Sequence, residues 1–307
     1  MTESAPPADL IKNAKALPTD TTTVDIDALS ELSRKLRIDI LDMIFTAQSG
    51  HPGTSLSCID LLVCLFGELM QHDAKRPDWA DRDRFVLSKG HGAPALYAIL
   101  MHHGYIGWEE KPTLRQVNSN LQGHPASKYI NGVDISTGSL GQGLSAAVGM
   151  ALGLRLNNSP AHVYCLIGDG ESQEGQIWEA ALSAPAHKLT NLTALCDRNS
   201  LQIDGNTEAI KPLGDIGAKF EAFGWNVLRI DGHDFRQIIA AGHRAKAWSQ
   251  ETDKPTMIVC QCTKGKGVSF MENEAGWHGK APNAEQYEAA LADLQPDVYY
   301  QRLKEAN

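Results

Sequence analysis

Asp169 and Asn199 stand thirty residues apart, each just past an apolar run rich in β-formers, Val163 to Ile167 and Leu192 to Cys196. The Ala-rich segment Gly175 to Lys188 between them has helical character, so the stretch reads strand, helix, strand. A βαβ unit is right-handed with parallel strands. It brings the loops after both strands to one edge of the sheet, where α/β proteins bind ligands. A carboxylate, an amide oxygen and a nearby backbone carbonyl are the hard donors that Mg²⁺ takes at about 2.0–2.1 Å, completing its octahedron from phosphate and water. Gly168 and Gly170 flank the aspartate and let the backbone turn tightly beside a phosphate. G-D-G alone is a common turn. G-D-G after a strand, followed by a helix, a second strand and D-x-N, is a more specific pattern. Gln173 stands where a dinucleotide fingerprint needs its third glycine, and no P-loop pattern occurs.

Histidines supply the second signal. His51 in S-G-H-P-G, His91 in S-K-G-H-G and His124 in Q-G-H-P-A each sit in a Gly-bounded turn, three of the chain's 11 histidines. Stiff backbone on both sides holds an imidazole where a substrate could meet it, and His91 lies beside a helix N-terminus that favours anions. Each taken singly could be a solvated loop histidine, and a His₃ zinc site is the rival reading, although none shows short metal-ligand spacing. Asp134 to Gly149 reads D-I-S-T-G-S-L-G-Q-G-L-S-A-A-V-G, a loop whose glycines admit a flat ligand, feeding an Ala-rich helix through Leu156 expected to be fully buried. Lys264 and Lys266 in T-K-G-K-G lack the Ser/Thr that opens a P-loop helix and read as solvated loop lysines.

Elements that position these loops follow from periodicity. Ile26, Leu29, Leu32, Leu36, Ile40 and Ile44 recur at helical spacing from Asp25 through Gln48, closed by Gly50 and Pro52; a second apolar helix spans about Ser57 to Met70. Arg84 to Leu87 is a short strand, and Ala93 to His103 a helix. Further on, helices over Ile216–Phe223 and Phe235–Ser249 alternate with strands over Asn226–Ile230 and Pro255–Cys262, and Asn283 to Leu294 is a final amphipathic helix. The class is α/β, a mainly parallel sheet with helices on both faces. Residues 1 to about 24 read as an arm or disordered tail, and residues 25–307 as a single domain. A formal charge of −9 without a basic run argues against nucleic acid or an anionic membrane surface. The sequence offers no evident run of the ~18 apolar residues a membrane span needs, nor an export signal. Six cysteines without framework spacing read as reduced, buried thiols of a cytoplasmic protein, and Cys260 and Cys262 should share one face of a strand.

The G-D-G…N segment resembles the diphosphate-binding motif of thiamine diphosphate enzymes. Together S-G-H-P-G, S-K-G-H-G, G-H-P, T-G-S-L-G-Q-G-L-S-A-A-V-G-M-A and G-D-G-x-x-Q-E-G occur in the order of transketolases, from about Leu29 to the C-terminus. The resemblance implies a thiamine-diphosphate-binding (PP-type) fold, with thiamine diphosphate held through Mg²⁺, for which Ca²⁺ or Mn²⁺ can substitute. It assigns Asp169, Asn199 and the Leu201 carbonyl to the metal. His51, His124 and His278 are assigned to the donor sugar, and His91 and His278 to the diphosphate. Gly138, Ser139 and Leu140 would line the cofactor rings, and Gly168, Gly170 and Ile203 its surroundings. Glu174 matches a buried interface glutamate linked to the other domain's activating glutamate; its plain reading is a carboxylate at a helix start. A full transketolase is about twice this length. The pyrimidine-domain half, with its activating glutamate and phosphate-binding groups, has no counterpart here. The resemblance therefore implies the N-terminal subunit of a split transketolase, in a heterotetramer with a pyrimidine-domain chain, transferring a two-carbon ketol unit between sugars or sugar phosphates. An alpha subunit of a thiamine-dependent 2-oxoacid dehydrogenase and a non-catalytic cofactor-binding scaffold are the alternatives.

Overall fold

The computed structural model describes residues 24–295; the expected N-terminal arm lies outside them except for its last residue. In chain order the elements are α1 (Ile26–Ala47), α2 (Pro52–Cys64), β1 (Arg84–Leu87), α3 (Ala93–His102), α4 (Gln142–Leu156), β2 (Val163–Gly168), α5 (Gly175–Ala186) and β3 (Leu192–Arg198). A small antiparallel hairpin follows, β4 (Leu201–Gln202) and β5 (Gly205–Asn206). The chain continues with α6 (Thr207–Ile210), α7 (Ile216–Ala222), β6 (Asn226–Asp231), α8 (Phe235–Glu251), β7 (Thr256–Gln261) and α9 (Ala284–Leu294).

The five long strands form one parallel sheet in the order β1-β2-β3-β7-β6. Alternation along each strand feeds two cores. Tyr164 and Leu166 of β2 face the core built with α1, α2, α3 and α8, while Val163, Cys165 and Ile167 face the core built with α4, α5 and α7. Both faces are thus covered, as a parallel sheet requires. The architecture is the α/β class read from the sequence.

Three local expectations need correction. The second helix starts at Pro52, not Ser57, because proline's fixed φ and missing N–H suit the first helical position. It runs through a π-helical turn, Leu65–Leu69, so Pro52–Leu69 forms 18 residues apolar enough to cross a membrane, with mean hydropathy 1.3. The expectation that the chain lacks such a run therefore fails. In the fold 89% of that stretch is buried by the rest of the chain, as expected of a helix apolar all round at the centre of a domain. Helix α4 departs the other way: Gly143, Leu144, Ala147, Val148 and Ala151 are buried, whereas Gly149 and Leu156 are exposed. All six cysteines are free and buried, and Cys260 and Cys262 reach the same core.

Candidate active site

Strand ends dictate where the polar residues go. The C-terminal ends of β1, β2, β3, β6 and β7 lead respectively into Lys89 and His91, Asp169, Asn199, His233 and Lys264. His51 caps the start of α2, and His124 and His278 arrive on long loops. These loops bring four histidines together. The His51 ring centroid lies 5.4 Å from that of His91, 6.3 Å from His124 and 5.6 Å from His278, while His91 and His278 stack at 5.1 Å. Gly138, with φ +137°, allows the approach: a Cβ there would lie 2.9 Å from His124 Cγ.

The Asp169 and Asn199 loops are ordered by their own hydrogen bonds. Asp169 Oδ1 accepts from the Gly170 amide at 2.7 Å, and Oδ2 from the Ser200 amide at 2.5 Å and Arg198 at 3.1 Å. Burial, then the nearby Asp197, raises the Asp169 carboxyl above the ordinary range, a site that a cation would relieve. Asn199 donates from Nδ2 to Asp197 at 3.1 Å, which fixes the amide so that Oδ1 is the free acceptor end, taking the Leu201 amide at 3.1 Å. Asp197 in turn accepts from Ser57 Oγ at 2.7 Å and pairs with Lys89, both groups fully buried. Burial opposes its charge, but Lys89 outweighs that and holds the Asp197 carboxyl below its usual range.

Two cations set the histidine tautomers. Arg115 donates to His51 Nδ1 at 3.3 Å, and Lys264 to His278 Nδ1 at 2.8 Å. With Nδ1 accepting, each ring carries its proton on Nε2. Burial, followed by neighbouring positive charge, lowers His51 to about 4 and His278 to about 3. His91 falls well below its ordinary value for the same reasons, and His124 is lowered by desolvation and then Arg115. All four shifts favour the neutral ring near pH 7.

One site expectation changes, and two further residues lie exposed in the lone chain. Lys264 is no solvated lysine: it is 1% exposed, and burial, then Lys89, pushes its ammonium down to about 8. Glu174 is exposed at the N-cap of α5 in this chain; the buried carboxylate of that loop is Glu171. Glu171 accepts from Ser88 Oγ at 2.5 Å and from the Gly141 and Gly168 amides at 2.9 Å, tying three loops together. Ile203 is 68% exposed on the β4–β5 turn. Leu140 and Leu201 are half-buried, and Ser139 is exposed. Sequence reasoning missed Lys89, Arg115, Asp197 and Glu171. A charged residue at the end of an apolar strand, Asp197 in L-T-A-L-C-D-R, was the one available signal.

Hard oxygen donors on two adjacent loops, a buried ammonium and neutral imidazoles above them fit a magnesium-bound diphosphate. A parallel α/β domain with this loop chemistry at its strand C-termini is a thiamine diphosphate-binding domain. Residues 29–297 match the family described as transketolase, thiamine diphosphate binding domain, and the chain belongs to the transketolase family. It is 43% identical over 274 residues to a 6-deoxy-6-sulfo-D-fructose transketolase subunit of Clostridium sp. strain MSTE9, covering 89% of this chain and 98% of that one. It is 40% identical to one of the subunits of the apulose-4-phosphate transketolase of Phocaeicola vulgatus, covering 88% of this chain and 95% of that one. Among solved structures, the transketolase of Campylobacter jejuni superposes with a TM-score of 0.83 at 34% identity, covering 88% of this chain but 43% of that one. The family match sets aside the 2-oxoacid dehydrogenase reading.

Proposed function

We propose that this chain is the N-terminal, diphosphate-binding subunit of a two-chain transketolase, active only with a separate pyrimidine-domain chain. The observation that carries it is the gathering of His51, His91, His124 and His278 beside the Asp169 and Asn199 loops. The chain also spans nearly all of two relatives named as transketolase subunits, yet under half of a full-length transketolase. Asp169, Asn199 and the Leu201 carbonyl would hold Mg²⁺. Lys264 and His91 would meet the diphosphate, and Gly138, Ser139 and Leu140 would face the rings. Thiamine diphosphate, when bound, supplies the nucleophilic carbon that takes up the two-carbon unit. His51 and His278 present Nε2–H toward the donor ketose, polarising its oxygens and passing protons with His124. A ketose ending in an anionic group is the favoured donor class, since the two relatives' names specify a sulfonated and a phosphorylated sugar.

The exposed surface of α4 and α5, with Gly149, Leu156 and Leu182, supports a chain-to-chain contact there, and a heterotetramer is the expected assembly. Glu174 is placed to become buried by that contact. The free, buried cysteines suit the reducing cytoplasm. Replacing Asp169 with Ala tests the cofactor assignment. Mg²⁺-dependent binding of thiamine diphosphate to the two-chain complex should weaken by more than about 100-fold; unchanged binding would refute it.

A further inference from the structure

One buried network outside the four histidines grips the segment that carries Lys264. Asp60 of α2 accepts from Ser33 Oγ, from Arg37 Nη1 at 2.9 Å, from Arg37 Nη2 at 2.7 Å and from His233 Nδ1 at 2.7 Å. Burial disfavours its charge, yet Arg37 and His233 hold the Asp60 carboxyl well below the usual range. From this carboxylate two arms extend to the loop after β7. Arg37 Nε donates to the Lys266 carbonyl at 2.9 Å, and His233 Nε2 accepts from the Thr263 amide at 2.8 Å. The arms therefore close on either side of Lys264, whose Nζ lies 2.8 Å from His278 Nδ1 and 3.4 Å from the Leu201 carbonyl.

The His233 ring has one permitted state in this arrangement. A backbone amide can only donate, so Nε2 carries no proton; Nδ1 therefore carries it and donates to Asp60. The geometry points to His233 as a positioning residue: acting as acceptor for the Thr263 amide, it sets the backbone that aims Lys264 at the diphosphate site. His233 itself touches neither Lys264 nor the four-histidine cluster in the contacts above, so its effect runs through Thr263. The inference deepens the proposed function and rests on the placement of thiamine diphosphate beside Lys264.

Two substitutions separate positioning from mere packing. His233→Gln keeps an acceptor near the Nε2 position, whereas His233→Asn keeps a donor near Nδ1 and leaves the Thr263 amide unpaired. Binding of thiamine diphosphate with Mg²⁺ to the complex of the full chain and a pyrimidine-domain chain is measured by calorimetry, alongside each variant's melting temperature. His233→Asn should bind about tenfold or more weakly, and His233→Gln within about threefold of the wild type, even where both melt lower. Equal affinity of His233→Asn and wild type, or equal losses in the two variants, would overturn the positioning role alone. A wild-type complex that binds no thiamine diphosphate would overturn both this role and the function on which it rests. Should a variant fail to fold, imidazole ¹⁵N spectra of the wild-type chain decide: an Nδ1–H neutral ring at His233 supports the role, and an Nε2–H ring or an imidazolium refutes it.

Discussion

Helices α2 and α4 are both apolar, and both begin at loops that feed the site, yet they are covered differently. Every residue of α2 from Pro52 to Cys64 is buried by the chain's own α1, α3 and α8. Helix α4 is buried along one stripe only, with Leu156 79% exposed, and neighbouring α5 leaves Leu182 60% exposed. An apolar stretch is thus completed either by the chain itself or by something outside it. In the proposed two-chain enzyme, the second case marks the partner's contact, and the first marks the scaffold that holds His51 and Ser57.

Several substitutions would break or sharpen this contrast. The largest effect is expected on the α2 side, where Lys89→Met leaves Asp197 charged, buried and without its ammonium. Loss of a buried partner costs about 3–5 kcal/mol, so chemical denaturation should show that loss. Truncating α2 at Leu62 to Ala should cost about 2–5 kcal/mol by the same assay, because nothing outside fills the cavity. On the α4–α5 side, Leu182→Asp should change the lone chain's stability by less than about 0.5 kcal/mol, yet weaken association with the pyrimidine-domain chain by at least about tenfold in sedimentation or calorimetry.

The effect smallest near pH 7, and growing only as pH falls, lies at the opposite edge of the sheet. His162 is buried just before β2, and burial, then Lys246, lowers it to about 3. Its folded value lies below that of the unfolded chain, so the unfolded state takes up a proton first as pH drops. The stability is fully present above about pH 6.5 and is lost as pH falls toward 3, by at most about 1.4 kcal/mol per pH unit. His162→Gln should flatten that slope in melts recorded across the range.

Much of the fold was legible because continuous apolar runs of β-formers and helical spacing survive in single elements. The βαβ unit from Val163 to Arg198 and the capped helix after Asn283 appear where the pattern puts them. Pro52 reads as a stop although it is also a start, since the same fixed φ serves both ends of a junction. His278 entered only through the family resemblance, whereas His51, His91 and His124, held by stiff Gly-bounded loops, were readable as a set. Lys264 and Asp197 were not, because a lysine's burial depends on which distant carbonyl and imidazole surround it. Arg115 and His233 act through atoms more than sixty and twenty-nine residues away, respectively, contacts that no local pattern encodes.

The most direct test is ketol transfer from xylulose 5-phosphate to ribose 5-phosphate, with thiamine diphosphate and Mg²⁺ present, by the chain alone and with a pyrimidine-domain chain. Turnover only when both chains are present is the predicted result. Turnover by the purified chain alone would contradict the division of the active site between two chains.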